Sequence, residues 1–91
     1  MSLAPRVEAT VLELIAQALQ AARSARTAPV TLGATLSELG VGSMMLLELA
    51  TAIEDRLGIE LPIDDVARTR TVAELIALVT ACASTRAARL G

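Results

Sequence analysis

The fold of this chain is decided by the stretch Leu39-Gly40-Val41-Gly42-Ser43-Met44-Met45-Leu46-Leu47-Glu48-Leu49. Gly40 and Gly42 interrupt regular structure just before Ser43. Ser43 then opens a run of apolar residues at helical spacing. The spacing predicts a helix over residues 43–57. Gly58 is expected to end it, because glycine is the commonest residue just past a helix C-terminus. One stripe of this helix is apolar and is predicted to be buried: Leu46, Leu49, Ala50, Ile53 and Leu57.

The segments around this helix predict three further helices and a long first loop. Apolar residues recur every three or four positions over residues 4–22, which indicates a helix. The Pro, Gly and Thr content of residues 24–35 is typical of a loop. A short helix is expected over 63–67, and a capping box at 71–74 opens the last helix. These patterns predict an all-α four-helix bundle with three main helices and one short helix.

The length of 91 residues predicts one domain over 1–91. A second capping box, at residues 35–38, is expected to start a single turn that Leu36 and Leu39 anchor. The helical pattern is lost after Ser84. We therefore predict an ordered core at about 4–84 and a frayed tail at 85–91.

The composition argues against an enzyme. The chain is 54% hydrophobic without an aromatic residue, so its core must be aliphatic. It contains no His, no Lys and one Cys, which excludes metal clusters, Cys/His nucleophile pairs, Schiff-base chemistry and intrachain disulfides. Cys82 lies in an apolar helical run and is interpreted as a small core or groove residue. The chain is therefore predicted to be non-catalytic.

The net charge of −2 is unevenly distributed. Between residues 43 and 66 there are six acidic residues and one basic residue, Arg56. Such an acidic middle favours a partner with basic residues and disfavours nucleic acid, including the helix-turn-helix mode of DNA binding. The chain shows neither a basic start followed by a long apolar run nor a membrane-spanning apolar stretch. We expect a cytoplasmic protein without a membrane partner.

The residues alone leave two interpretations of Ser43. A Ser that follows Gly at the head of a helix is most often a capping residue. The same helix end also offers unpaired N–H groups and a positive dipole, which would stabilise a phosphate esterified to the hydroxyl. Ser43 cannot be an activated nucleophile itself, because no His or Lys is present to take its proton. It could be the substrate of another enzyme that supplies the base.

The side of this helix away from the apolar stripe is also ambiguous. Apolar residues lie there beside acidic ones. They are either core filler in a helix buried all round or the exposed apolar part of a docking surface. The residues concerned are Met44, Leu47, Glu48, Thr51 and Asp55.

Three motifs in order resemble the acyl carrier protein family, which includes the related peptidyl carriers. The first is Leu39-Gly40-x-Gly42-Ser43-Met44 followed by Glu48-Leu49. The second is Glu54-Asp55-Arg56-Leu57-Gly58-Ile59-Glu60-Leu61-Pro62, and the third is Thr71-Val72-x-x-Leu75. They keep the family's spacing from about residue 36 to residue 79.

The resemblance implies a carrier domain in which Ser43 accepts 4′-phosphopantetheine from coenzyme A. The terminal thiol of that arm would carry acyl or aminoacyl groups as thioesters. Implied partners are a phosphopantetheinyl transferase, a loading enzyme of the adenylating ligase or acyltransferase type, and a ketosynthase or other downstream transferase. The protein itself is expected to be a monomer. The implied docking residues are Met44, Met45, Leu47, Glu48, Thr51, Asp55, Asp64 and Asp65.

The chain departs from the family pattern beside the serine. Acyl carriers normally have Asp there, and peptidyl carriers often have His or Asp, whereas this chain has Gly42. Met45 occupies a position that is often acidic in fatty-acid carriers. Both changes remove negative charge, which suggests partners with an apolar surface near the arm.

Three hypotheses about function follow. The first is a discrete carrier in polyketide or hybrid natural-product biosynthesis, a setting that the Arg- and Ala-rich, Lys-free composition favours. The second is a carrier of the nonribosomal peptide type. The third is a carrier-like interaction protein that is never modified.

Overall fold

The computed structural model describes residues 4–21 and 30–90, with side-chain surroundings for 5–21 and 30–86. Within these ranges the chain forms four helices and no strand. They are α1 (Ala4–Ala21), α2 (Ser43–Leu57), α3 (Ile63–Arg68) and α4 (Val72–Leu90). The predicted all-α bundle of three main helices and one short helix is confirmed. Ala22 and residues 24–29 of the expected first loop lie outside the described ranges.

The core is aliphatic, as the aromatic-free composition requires. The helices α1, α2 and α4 each contribute one apolar stripe, α3 contributes Val66, and the turn before α2 adds Leu36 and Leu39. The predicted stripe of α2 is buried, except that Leu57 is only half-buried. The buried residues of α1 and α4 are Val7, Val11, Leu14, Ile15, Leu19, Val72, Leu75 and Val79.

The end of the first loop is hydrogen-bonded to the start of α4. The N–H of Leu36 donates to the carbonyl of Arg70 (2.8 Å), and the N–H of Val72 donates to the carbonyl of Ala34 (3.0 Å). Thr35 and Thr71 thereby form an isolated antiparallel bridge. We call the paired segments 34–36 and 70–72 the clasp. Because residues 36–41 lead directly into α2, the clasp fixes where α2 begins.

Both predicted capping boxes are present, and each begins at a residue of the clasp, Thr35 or Thr71. At the first, the N–H of Glu38 donates to Thr35 Oγ1 (3.0 Å) and the N–H of Thr35 donates to Glu38 Oε1 (3.2 Å). At the second, the N–H of Glu74 donates to Thr71 Oγ1 (3.1 Å). Its reciprocal bond is shifted by one residue, because the N–H of Arg70 donates to Glu74 Oε1 (2.7 Å).

The connection from α2 to α3 is fixed by one glycine and one carboxylate. Gly58 ends α2 with a positive φ of 65°, and its N–H donates to the carbonyl of Glu54 (2.8 Å). The carboxylate of Glu54 accepts a hydrogen bond from the N–H of Leu61 (2.8 Å). Ile59 and Leu61 are thereby held with their side chains buried in the bundle.

The last helix is longer than the sequence predicts. The expected frayed tail at 85–91 differs from the structure, in which α4 continues to Leu90. Residues 85–90 contain neither Gly nor Pro, and Ala, Arg and Leu are strong helix formers, so the backbone can remain helical without apolar periodicity. Among the residues with described side-chain surroundings, Val79 is the last fully buried one of α4, and Cys82 and Ala83 are the last that pack against the core, so α4 continues for about two further turns.

Candidate functional site

Ser43 is the first helical residue of α2, and its side chain is exposed. The cap position belongs to Gly42, which has extended backbone angles (φ −83°, ψ −179°) and no side chain to bond the helix end. The interpretation of Ser43 as the capping residue is therefore wrong. Its hydroxyl forms no hydrogen bond with another described residue, so it is available for chemistry.

The start of α2 has free hydrogen-bond donors and no negative charge. The N–H of Leu46 donates to the carbonyl of Gly42 (2.9 Å), which leaves the amides of residues 43–45 without an acceptor within the helix. The first turn of α2 contains no acidic residue. Free amides at the positive end of a helix dipole are a donor set that fits a phosphate ester on the neighbouring hydroxyl.

The side of α2 opposite the core is exposed. Met44 is 77% exposed and Leu47 is 44% exposed, so neither is core filler. The acids on this side are exposed as well, and the hydroxyl of Thr51 donates to the carbonyl of Leu47 (3.1 Å). The structure therefore brings five of the predicted docking residues to one surface, the docking face: Met44, Leu47, Glu48, Thr51 and Asp55.

The three other predicted docking residues lie elsewhere. Met45 is half-buried and packs against the core, because its position in the helix turns it away from Met44. Asp64 and Asp65 are exposed in the first turn of α3, and Asp65 pairs with Arg68 across 3.8 Å. These three residues stay predicted docking residues that lie outside the docking face of α2.

Two charged residues of α2 have roles that the sequence analysis did not predict. Arg56 lies 3.7 Å from Glu13 of α1, an exposed ion pair that contributes little to stability. Glu54 holds the α2–α3 connection through its bond to the N–H of Leu61. Leu61 lies beyond the end of α2, so helical periodicity does not pair it with Glu54 and the sequence holds no signal for this contact. Both contacts lie toward the C-terminal end of α2, the helix whose other end presents Ser43.

The comparisons with known proteins agree with this geometry. A family model described as the phosphopantetheine attachment site matches residues 9–79. The fold is similar to that of the acetyl actinorhodin acyl carrier protein from Streptomyces coelicolor, known from a solution structure. The two superpose with a TM-score of 0.64 and 24% sequence identity, over 81% of this chain and 91% of that one. No curated protein sequence matches the chain.

None of the helices in residues 4–21 and 30–90 has the length and apolar character needed to span a bilayer.

Proposed function

This chain belongs to the phosphopantetheine attachment site family, and from that premise we propose that Ser43 is the residue that carries the arm. The expected resemblance to acyl carriers is confirmed. The expected cofactor, covalently attached 4′-phosphopantetheine, is confirmed as well. Domains of this family carry acyl groups on that arm, are in general not catalytic, and interact with phosphopantetheinyl transferases and acyl-processing enzymes.

One observation carries the proposal: no residue in the described part of the chain bonds the exposed hydroxyl of Ser43, which stands at a helix start whose first amides have no acceptor within the helix. The family match also includes Ser24, which lies outside the described ranges, and Ser37. Ser37 lies inside the turn closed by the first capping box and does not begin a helix. An external base must take the proton of Ser43, because the chain contains no His and no Lys.

The docking face is proposed to be where partner enzymes bind. It begins one residue after Ser43 and combines exposed Met44 and Leu47 with exposed Glu48 and Asp55. Exposed apolar residues next to acidic ones are typical of a surface that binds an apolar patch beside basic residues. The uncharged first turn of α2 supports a partner that meets Ser43 with an apolar surface.

The finer assignment is a cytoplasmic, discrete carrier of polyketide or hybrid natural-product assembly. Its partners are then a loading ligase or acyltransferase and a ketosynthase or other downstream transferase. The Arg- and Ala-rich composition without Lys supports this setting. The structurally similar protein is an acyl carrier named for actinorhodin, which is consistent with it. Cargo of the aminoacyl or peptidyl class remains the alternative.

The attachment is tested by incubating the protein with coenzyme A and a broad-specificity phosphopantetheinyl transferase. Intact mass is recorded for the wild type, Ser43→Ala and the matched control Ser37→Ala. We expect a gain of one phosphopantetheine in the wild type and the control, and none in Ser43→Ala. A modified Ser43→Ala protein would assign the arm to another residue. No gain with several transferases would favour the interaction protein that is never modified.

The docking face is tested through the rate of the same reaction. Glu48→Arg should slow loading at least severalfold, because it reverses a charge on the surface that the transferase must approach. Glu8→Arg, an equal change at an exposed position of α1, should leave the rate unchanged. Equal rates for all three proteins would remove Glu48 from the interface.

A further inference from the structure

The start of α2 has neither a capping side chain nor an acidic residue, unlike the starts of the two helices that follow it. At α4, the N–H of Glu74 donates to Thr71 Oγ1 (3.1 Å), and Glu74 adds a carboxylate to the first turn. The first turn of α3 contains two acids. At α2 the cap position is Gly42, and the first acid, Glu48, comes more than one turn into the helix. The positive end of the α2 dipole is therefore not compensated by a charge on its own element.

The packing around Gly42 does not exclude a capping side chain. Gly42 is exposed, its φ of −83° suits any residue, and a Cβ at this position would have no atom within 4 Å. Asn, Asp or Ser could therefore accept a hydrogen bond from the helix start without moving the backbone. The donors of α2 remain free because position 42 has no side chain, and not because the fold closes the position off.

The free donors and the proposed attachment point lie in the same helical turn. The amides of residues 43–45 have no acceptor within the helix, whose first bond runs from the N–H of Leu46 to the carbonyl of Gly42 (2.9 Å). A phosphodiester on Ser43 has one negative charge and two unesterified oxygens, which suits such amides. Because the phosphate would be linked covalently to the first residue of the turn, its contact with these donors would be intramolecular.

We propose that the free amides of residues 43–45 hold the phosphate of the arm, which then caps α2 in place of the side chain that Gly42 lacks. The proposal rests on attachment at Ser43. It makes Gly42 a positioning residue, because a side-chain acceptor at position 42 would compete with the phosphate for the same donors. Two consequences follow: attachment stabilises the folded protein, and the root of the arm is fixed next to the docking face while the rest of the arm moves.

The first test compares the unloaded and the loaded wild-type protein. In the loading reaction Ser43 Oγ bonds to phosphorus as the pyrophosphate bond of coenzyme A breaks, adenosine 3′,5′-bisphosphate leaves, and the hydroxyl proton passes to the base of the transferase. Intact mass confirms that loading is complete. Thermal denaturation should then give a Tm about 3 °C higher for the loaded form, because a negative charge has been added at the positive end of α2.

Gly42→Asn tests whether the amides of α2 are the donors responsible. Asparagine is a good cap residue and brings an acceptor without a charge, so it competes for the amides without repelling the phosphate. Its unloaded form should have a Tm about 3 °C above that of the unloaded wild type, and loading should add less than about 1 °C. The matched control is Gly33→Asn, at a second exposed glycine with open space for a Cβ. It should keep the full gain on loading.

Hydrogen exchange locates the effect without any variant. The amides of residues 43–45 should exchange with solvent deuterium severalfold more slowly in the loaded wild type than in the unloaded protein. The amides of residues 63–65 provide the control, because they begin α3 and lie ahead of its first helical bond, from the N–H of Val66 to the carbonyl of Pro62 (3.0 Å). Their exchange rates should be the same in both forms.

The outcomes separate this proposal from the attachment proposal. Absence of a mass gain at Ser43 would overturn both. A mass gain without slower exchange at residues 43–45 would overturn the capping proposal alone, and so would an equal Tm of the two wild-type forms. A full gain in Tm on loading Gly42→Asn, or an equal loss of that gain in Gly33→Asn, would also overturn it and leave attachment at Ser43 unaffected.

Discussion

The three glycines around α2 differ in backbone conformation, and therefore in whether the fold requires glycine at the position. Gly40 and Gly58 have positive φ angles of 83° and 65°, a region that side chains with a Cβ rarely adopt. Gly42 has an ordinary φ of −83°, is exposed, and has open space where a Cβ would be. The fold therefore requires glycine at positions 40 and 58 and does not require it at position 42.

This difference predicts opposite effects of substitution. Gly42→Asp should raise the free energy of unfolding by about 0.5 kcal/mol, because a carboxylate at the cap position can accept a hydrogen bond from the free amides of α2. Gly58→Ala should lower it by about 1 kcal/mol, since alanine is strained at positive φ. Urea denaturation of the two variants and the wild type measures both changes. Destabilisation by Gly42→Asp would contradict the open geometry at that position.

At this scale the sequence predicts the bounds of α2 at residues 43–57 but does not identify Gly42 as the residue at its cap position. Both Gly42 and Ser43 can precede a helix, and the choice depends on backbone angles that the side chains do not encode. The predicted exposure of Met44 and Leu47 was one of two alternatives. Only the packing of α2 against α1 and α3 decides between them, because periodicity cannot tell a half-buried helix from a fully buried one.

Among the elements, the α2–α3 connection depends most on a single side chain. Glu54 is half-buried, and its carboxylate accepts the N–H of Leu61 across the turn at Gly58. Glu54→Ala should lower the free energy of unfolding by about 2 kcal/mol, because a charged acceptor is lost and the Leu61 amide is left unpaired. Glu54→Gln keeps an acceptor and should cost less.

The matched control for this prediction is Asp55→Ala, the next residue, which is exposed and should change stability by less than about 0.5 kcal/mol. The amide resonance of Leu61 in a nitrogen–proton correlation spectrum should move upfield in Glu54→Ala and stay in place in Asp55→Ala. An unmoved resonance in Glu54→Ala would show that the bond does not form in solution.

The sequence predicts the positions of the helices more accurately than it predicts where they end. The periodicity and the cap residues locate α1, α2 and the start of α4, because each has a clear apolar stripe. The apolar pattern does not predict the C-terminus of α4. Residues 85–90 remain helical by intrinsic propensity after the apolar stripe of α4 has ended.

Stability of the whole molecule depends on an aliphatic core in a chain of 91 residues. A domain of this size has a total stability on the order of 10 kcal/mol, so one core truncation removes a large share of it. Ile53 is fully buried in α2, and Ile53→Ala should cost about 3 kcal/mol. Leu47→Ala, on the docking face of the same helix, should cost less than about 0.5 kcal/mol. Thermal denaturation compares the two, and similar losses would place Leu47 in the core.

The clasp also determines how the molecule opens. Its backbone hydrogen bonds join residues 34–36 to 70–72. The chain segment between them, which contains α2 and α3, is therefore a ring closed by hydrogen bonds rather than by a covalent link. The amides of Leu36 and Val72 can exchange with solvent deuterium only when that ring parts, whereas the free amides at the start of α2 exchange from the folded state. The serine-bearing end is thus open to chemistry in a molecule that need not unfold to expose it.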